Sequence, residues 1–239
     1  MANTISREEQ HRVDSGLARE SPSTVGSAAV TRLLHIAASP RGASSESLRI
    51  AQTFIDAYRE AHPSHPIDVW DLWDGSLPEF GPAAATAKMA IFAGDAPQGD
   101  GAAAWQAAKQ TFARFDSAAH LLFSVPMWNA GIPYILKQLI DVISQPGMVF
   151  GVDPHDGYSH LLEGTGKKAA VIYTSAVWGP GLGPAFGTNF QSTYFEDWLH
   201  WTGITDITQI RYHPTLAGAT DAERRTAHAR ARERAATFR

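Results

Sequence analysis

The sequence predicts an α/β fold, a doubly wound sheet of five parallel strands between two layers of helices. Strand-like and helix-like segments alternate along most of the chain, which is typical of repeated β–α units. Two strand-like segments, 120–125 and 168–174, are largely apolar, as strands buried on both faces should be. A loop rich in Ser and Gly separates the first strand from the first helix, where such folds hold phosphate groups.

The predicted elements follow in order from the hydrophobic periodicity. Strands are predicted at 30–37, 67–70, 120–125, 168–174 and 204–212. Helices are predicted at 45–61, 83–92, 102–116, 132–144, 184–202 and 219–237. Pro133 fits the first turn of the fourth helix, and a break containing Gly and Pro at 94–99 divides the second helix from the third. Residues 71–82 are predicted to be a loop.

The chain is predicted to contain one folded domain. Residues 1–27 are polar and have no apolar period, which predicts a disordered extension. Residues 28–239 should form a single domain, because 44% hydrophobic residues allow a sizeable core and no internal linker stands out.

Composition excludes several classes of protein. A net charge of -4 argues against general nucleic-acid binding. The lack of cysteine excludes disulfides, thiolate catalysis and Fe–S clusters, and is compatible with a cytoplasmic location. No secretory signal and no membrane span is predicted, because no apolar run approaches the required length. The arginines of segment 221–239 are predicted to form a solvated helix face rather than a surface for a partner.

The loop after the first strand is predicted to bind a phosphate. Ser39, Ser45 and Ser47 offer hydroxyl groups where the helix begins, and the first-turn amides have no partner within the helix. The loop lacks the Lys of a nucleoside-triphosphate loop and also lacks the GxGxxG of a dinucleotide site. A single terminal monophosphate, as in a flavin mononucleotide, is therefore favoured.

The loop after the third predicted strand is suited to a planar ring. Trp128 offers a flat apolar face, and Asn129 can both donate to and accept from a pyrimidine-like dione. Backbone amides beside Gly131 can approach a ligand closely. The alternative is that Met127 and Trp128 belong to the ordinary core.

Two further segments are candidates for the walls of the same cleft. The loop at 174–184 holds three Gly, two Pro and Trp178, so it can form a second wall or be a plain connection. Phe150 follows a sharp helix exit and is equally compatible with the cleft and with the core. The His- and Asp-rich stretch 153–160 lacks the spacing of a zinc motif, and no metal is predicted. No catalytic triad or carboxylate pair is found.

These residues together resemble the flavodoxin-like FMN-dependent NADH-azoreductase and NAD(P)H:quinone oxidoreductase family. The resemblance covers about 32–217 and rests on three strings: the loop with Ser39 and 45–47, the string 126–133 with Lys137 and Asp141, and the exit at 175–178. The second string is the most specific, because Pro-Met-aromatic-Asn precedes Gly-Ile-Pro at the start of a helix.

The resemblance implies the site residues position by position. Ser39, Ser45, Glu46 and Ser47 match the phosphate loop, and Pro126, Met127, Trp128, Asn129 and Ala130 match the loop along the flavin ring. Ser175, Ala176, Val177 and Trp178 lie where the family commonly has Ser-Arg-Gly-Gly on the pyrimidine side of the flavin. Substrate contacts are expected from Trp128, Phe150 and Trp178, and the last could narrow the cleft.

The resemblance also implies a function. FMN would take a hydride from NADH or NADPH and pass two electrons to a quinone or an azo compound, in ping-pong order and in a homodimer with the site at its interface. The cofactor carries this chemistry, which accounts for the missing catalytic triad. Two alternatives are a non-enzymatic flavin electron carrier and a flavin-free binding protein of the same fold. The sequence does not identify the nicotinamide donor or the physiological acceptor.

Overall fold

The computed structural model describes residues 31–153, 155, 157–216 and 220–239, so the extension predicted at 1–27 lies outside the described part. The strands are β1 (Leu33–Ala37), β2 (Ile67–Asp71), β3 (His120–Pro126), β4 (Phe150–Asp153), β5 (Gly157–His160), β6 (Lys168–Thr174) and β7 (Asp206–Tyr212). The helices are α1 (Glu46–Ala61), α2 (Pro82–Phe92), α3 (Gly99–Asp116), α4 (Tyr134–Ile143), α5 (Phe190–Thr202) and α6 (Asp221–Ala236).

The predicted five-stranded parallel sheet is confirmed. Its order is β2-β1-β3-β6-β7, and every neighbouring pair is parallel. The strand order changes direction between β1 and β3, and a sheet of this kind binds ligands outside the carboxyl ends of its strands at that point. The register aligns Ala37 with Ser124 and Pro126 with Thr174, so the exits of β1, β3 and β6 lie side by side.

Alternate residues of the central strand β3 serve the two helical layers. Leu121, Phe123 and Val125 belong to the core on the side of α3, α4 and α5. Leu122 belongs to the core on the side of α1 and α6. This period-two division of a strand buried on both faces gives the three-layer arrangement that the apolar run predicted.

Helices α1 and α6 pack together on one face of the sheet. Helix α6 turns Ala227, Ala231 and Ala235 toward the core, and these small side chains allow a close approach. The contact also includes a hydrogen bond of 2.7 Å between Thr53 Oγ1 and His228 Nδ1. The first residues of the two helices consequently lie near each other at the carboxyl end of the sheet.

The structure differs from the sequence prediction in two places. Strands β4 and β5 form an antiparallel pair that was not predicted. The helix predicted at 184–202 is divided into a short 3-10 turn, Pro184–Phe186, and α5, which starts at Phe190. Gly187 at φ 85 interrupts it, and the Asn189 side chain then caps α5 by accepting from Ser192 N at 3.1 Å. Among the described residues, no helix combines the length and apolarity needed to cross a membrane.

Candidate functional site at the carboxyl edge of the sheet

Three buried serines lie in the loop between β1 and α1 and in the first turn of α1. Ser45 is the N-cap of α1, its Oγ accepts from Leu48 N at 3.4 Å, and it lies 3.0 Å from Ser47 Oγ. Ser39 Oγ accepts from Arg41 N at 3.5 Å. The hydroxyls lie close to the first turn of α1, whose backbone amides have no hydrogen-bond partner within the helix. Such a set of donors at a helix N-terminus fits a phosphate group.

A buried histidine on β1 is linked to the start of α1 through a serine of β3. His35 Nε2 lies 2.7 Å from Ser124 Oγ, and that hydroxyl in turn lies 3.4 Å from the Ser47 carbonyl oxygen. Burial lowers the pKa of His35 from 6.5 to about 4, so the imidazole is neutral at pH 7. The chain of contacts therefore fixes the start of α1 to the central strands without adding a charge.

Two arginine side chains contact the start of α1, one from the same helix and one from the distant helix α6. Glu46, the first residue of α1, is paired with Arg224 of α6 at 3.0 Å and with Arg49 at 3.2 Å. The sequence predicted that the arginines of 221–239 form a solvated face; the Arg224 side chain is 42% exposed, and the packing of α1 on α6 also brings it to Glu46.

The exit of β3 is a tight turn with unusual backbone angles. Trp128 and Gly131 exchange two backbone hydrogen bonds of 2.9 Å, and the two residues between them, Asn129 and Ala130, have φ values of 48 and 68. Both angles are left-handed, which costs about 1–2 kcal/mol for a residue with a side chain. The Ala130 carbonyl accepts from Phe190 N at 3.0 Å, so the start of α5 holds the turn.

An aromatic cluster on the β2 and β3 exits includes a residue that the sequence analysis missed. The ring of Trp73 lies 5.7 Å from that of Trp128 and 5.1 Å from that of Tyr134. The indole N–H of Trp73 donates to the Ala38 carbonyl at 3.1 Å, which ties the phosphate loop to the turn of Trp128. The signal was available, since Trp73 lies three residues beyond the carboxyl end of the strand predicted at 67–70.

A cavity of about 830 Å³ opens beside the turn. Trp128 and Asn129 line it together with aromatic and polar side chains of α4 and α5, and Tyr134 and Phe190 on its rim are each 61% exposed. The volume lies within the range of pockets that hold cofactors and drug-sized ligands. The phosphate-loop serines and residues 175–178 are not part of its wall.

The exit of β6 turns toward β7 rather than over this cavity. Ser175 Oγ accepts from Trp178 N at 3.0 Å, and the Ser175 and Ala176 carbonyls accept from the amides of Thr215 and Leu216. The ring centres of Trp178 and His213 lie 5.0 Å apart in an edge-to-face arrangement, so the indole packs against the residues that follow β7. Val177 stays 49% exposed.

A buried glutamine at the start of α5 connects the ends of two strands, and no local sequence pattern indicated this role. Gln191 is 1% exposed, and its Nε2 donates to the carbonyls of Val125 at 2.7 Å and Thr174 at 3.2 Å. It joins β3 and β6 where their loops begin.

Phe150 lies in the core and does not line the cavity. It is 4% exposed and packs on Trp201 at 5.3 Å and Tyr158 at 5.4 Å between ring centres. The hairpin of β4 and β5 turns the Phe150 side chain inward. The sequence was compatible with a place in the cleft or in the core, and the structure shows the core.

The fold defines a flavodoxin-like protein, and the candidate site lies at the carboxyl edge of its sheet. Residues 31–236 match a family model described as a flavodoxin-like fold. The chain is 46% identical over 187 residues to an FMN-dependent NADH:quinone oxidoreductase of Ruegeria pomeroyi, an alignment that covers 78% of this chain and 91% of that protein. A second relative of the same name, from Nitratidesulfovibrio vulgaris, is 39% identical over 209 residues, covering 86% of this chain and 99% of the relative.

Solved structures share the fold. An azoreductase from Bacillus anthracis superposes with a TM-score of 0.77 at 24% identity, covering 87% of this chain and 100% of that one. An FMN-dependent NADH-azoreductase from the same species, in complex with FMN, gives a TM-score of 0.78 at 21% identity and covers 87% and 99% of the two chains. The chain belongs to the flavodoxin-like family that includes the FMN-dependent NADH:quinone oxidoreductases, as its sequence strings indicated.

Proposed function

We propose that the protein is an FMN-dependent oxidoreductase that transfers electrons from NADH to quinones, with azo compounds as further acceptors. The observation that carries the proposal is the meeting of a serine-rich phosphate loop and an aromatic–Asn turn at the switch point of the sheet. The identity of 46% to an FMN-dependent NADH:quinone oxidoreductase supports it, and it favours an enzyme over the electron-carrier alternative. Residues 28–239 act as one FMN-binding domain.

The phosphate end of FMN is assigned to the β1–α1 loop. Ser39, Ser45 and Ser47 supply hydroxyl donors, and the backbone amides at the start of α1, including that of Glu46, supply the rest. The positive end of the helix dipole adds a favourable field for the anion.

The ring of FMN is assigned to the β3 and β6 exits. Pro126 and Met127 bring the chain to the turn, Trp128 offers its face, and Asn129 and the Ala130 backbone meet the dione edge. On the pyrimidine side, Ser175, Ala176, Val177 and Trp178 are assigned backbone contacts at the β6 exit, outside the wall of the cavity. Donors fixed in place by these turns favour negative charge on the dione without reorganising.

When bound, FMN supplies the redox chemistry by accepting a hydride from the nicotinamide and passing two electrons to the acceptor. The protein orients both reactants in turn against Trp128, within the cavity of about 830 Å³. Trp178 is not assigned a substrate contact, because its ring packs on His213 and not on this cavity. Phe150 has no part in this proposal, because its side chain lies in the core.

A homodimer is proposed for the assembly, on the basis of the exposed aromatic rim of the cavity. Tyr134 and Phe190 are each 61% exposed and Tyr194 is 37% exposed, and large exposed aromatics around one cavity are typical of an interaction surface. Light scattering should give twice the mass of 25.9 kDa, and a mass equal to one chain would contradict the assembly. A cytoplasmic location is proposed for a cysteine-free chain that uses NADH.

Steady-state kinetics test the proposed reaction. The FMN-loaded protein should oxidise NADH in the presence of a benzoquinone, and double-reciprocal plots at several quinone concentrations should be parallel, because both reactants use the same site in turn. A rate no greater than that of free FMN would refute the activity, and intersecting lines would refute the shared site. The same assay with NADPH and with an azo dye settles the donor preference and the second acceptor class.

A further inference from the structure

A polar cluster joins the start of α1 to the start of α6, and the proposed function leaves it unexplained. Its centre is the 3.0 Å contact between Glu46 Oε1 and Arg224 Nη2, residues 178 positions apart. Arg49 contacts the same carboxylate oxygen at 3.2 Å, and Asp221 lies 3.5 Å from Arg224 Nη1. The Glu46 side chain is 14% exposed, so its charge is largely removed from water.

Three polar atoms of this cluster are buried and have no hydrogen-bond partner among the described residues: Glu46 Oε2, Arg224 Nε and the Tyr212 hydroxyl. Tyr212 itself is 3% exposed. The Glu46 carboxylate raises the pKa of Arg224. Tyr212 lines a pocket together with Glu223, the residue before Arg224. Unsatisfied buried groups are costly and native structures contain few of them, so a further polar group is expected here.

The position of Glu46 makes the cluster relevant to the phosphate. Glu46 follows the N-cap Ser45 and precedes Ser47, so its carboxylate begins the same helical turn whose amides would hold the phosphate. An acidic side chain and a phosphate compete for the same helix dipole and repel each other. The guanidinium groups of Arg224 and Arg49 offset the Glu46 carboxylate, and with Asp221 the four charges of the cluster sum to zero.

We propose that Arg224 is a positioning residue for the FMN phosphate: its ion pair with Glu46 neutralises and holds the carboxylate beside the phosphate loop. The pair thereby sets the preference of the site for a phosphate-bearing flavin over riboflavin. This inference rests on the proposed FMN function. Arg225, the next residue of α6, is exposed and plays no part.

Flavin binding to the apoprotein tests the inference without any turnover. The Kd values of FMN and riboflavin are measured by fluorescence quenching for the wild type, Arg224→Gln, Glu46→Gln, the double variant and the charge-matched control Arg225→Gln. Arg224→Gln should weaken FMN binding roughly tenfold, about the effect of one partly buried charge. Riboflavin binding should stay within twofold. The double variant should bind FMN within threefold of the wild type, since the repelling carboxylate is then gone, and Arg225→Gln should match the wild type.

Several outcomes overturn the inference while leaving the proposed function standing. They are an FMN Kd for Arg224→Gln within twofold of the wild type, an equal loss of FMN and riboflavin, and no recovery in the double variant. A wild-type protein that binds neither flavin instead refutes the proposed FMN function, and the inference with it.

Discussion

At the scale of single residues, the most informative feature is the strained turn after β3. Asn129 and Ala130 hold left-handed angles of 48 and 68, a conformation that favours glycine. Backbone strain of this kind persists where the surroundings fix it, and it concentrates at binding sites. The sequence indicated a turn here, since Gly131 and Pro133 follow. The left-handed backbone of this turn is held by the hydrogen bond from Phe190 N to the Ala130 carbonyl, a contact that residue types alone do not reveal.

Asn129 is predicted to contact the flavin ring through its side chain. Asn129→Gly keeps the left-handed backbone free of strain but removes the amide, and Asn129→Ala removes the amide and adds strain of about 1 kcal/mol. Both variants should weaken FMN and riboflavin binding alike, by roughly three- to tenfold, the range of one neutral hydrogen bond. Fluorescence titration of the apoprotein measures this. An unchanged Kd in Asn129→Gly would exclude Asn129 from the site.

Trp73 is predicted to couple the two flavin loops. Trp73→Phe keeps an aromatic ring against Trp128 but loses the 3.1 Å hydrogen bond to the Ala38 carbonyl. The phosphate loop is then held less firmly, so the FMN Kd should rise several-fold, by about 1 kcal/mol. Trp201→Phe, which alters a tryptophan packed on Phe150, is the matched control and should leave the Kd unchanged. Equal effects of the two substitutions on FMN binding would contradict the coupling.

At the scale of elements, strand and helix positions could be predicted where periodicity was strong. The buried runs that became β3 and β6, and the amphipathic run of α1, were located to within a few residues. The β4–β5 hairpin was missed although Asp156-Gly157 is a hairpin-type dipeptide, because its flanking residues are few and mixed in polarity. The ties between loops could not be predicted, since Trp73, Gln191 and Arg224 reach their partners only through the register of the sheet and the packing of distant helices.

Gln191 is predicted to stabilise the junction of β3, β6 and α5. Gln191→Leu removes a buried donor from the Val125 and Thr174 carbonyls, although Thr174 keeps the Met127 amide at 2.7 Å. The free energy of unfolding should therefore fall by about 1–2 kcal/mol. Gln191→Glu likewise removes the donor while keeping the shape, and it should destabilise at least as much. Urea unfolding followed by far-UV circular dichroism gives the values. A loss below about 0.5 kcal/mol in Gln191→Leu, the usual range of surface changes, would mean that the bridge is not important.

At the scale of the whole molecule, buried histidines make the sheet sensitive to acid. His35 on β1 is 5% exposed, and His120 at the start of β3 is 4% exposed with its Nδ1 at 2.6 Å from the Tyr58 hydroxyl. Burial lowers the pKa of each from 6.5 to about 4, and for His120 the neighbouring His65 adds to the effect. His62 and His65 are half-buried, and their rings stack on each other at 4.8 Å near His120.

The stability of the protein is therefore predicted to fall with acid in a defined window. A histidine with a lowered folded pKa is neutral in the fold and takes up a proton on unfolding, so its contribution is complete above pH 6.5 and is lost as the pH falls toward 4. For His35 the loss approaches roughly 3 kcal/mol. Urea unfolding between pH 7.5 and 4.5 should show a shallower decline in His35→Gln, while the exposed control His200→Gln should follow the wild type. Equal slopes in all three would contradict the assignment.

The central claim is that the switch point of this sheet holds an FMN that NADH reduces and a quinone reoxidises. The most direct measurement is the absorbance spectrum of the FMN-loaded protein under anaerobic conditions, before and after NADH and again after a benzoquinone. If FMN mediates this transfer, the flavin bands will bleach on NADH and return on the quinone. Flavin bands that persist with both NADH and NADPH, or a protein that takes up no FMN, would contradict it.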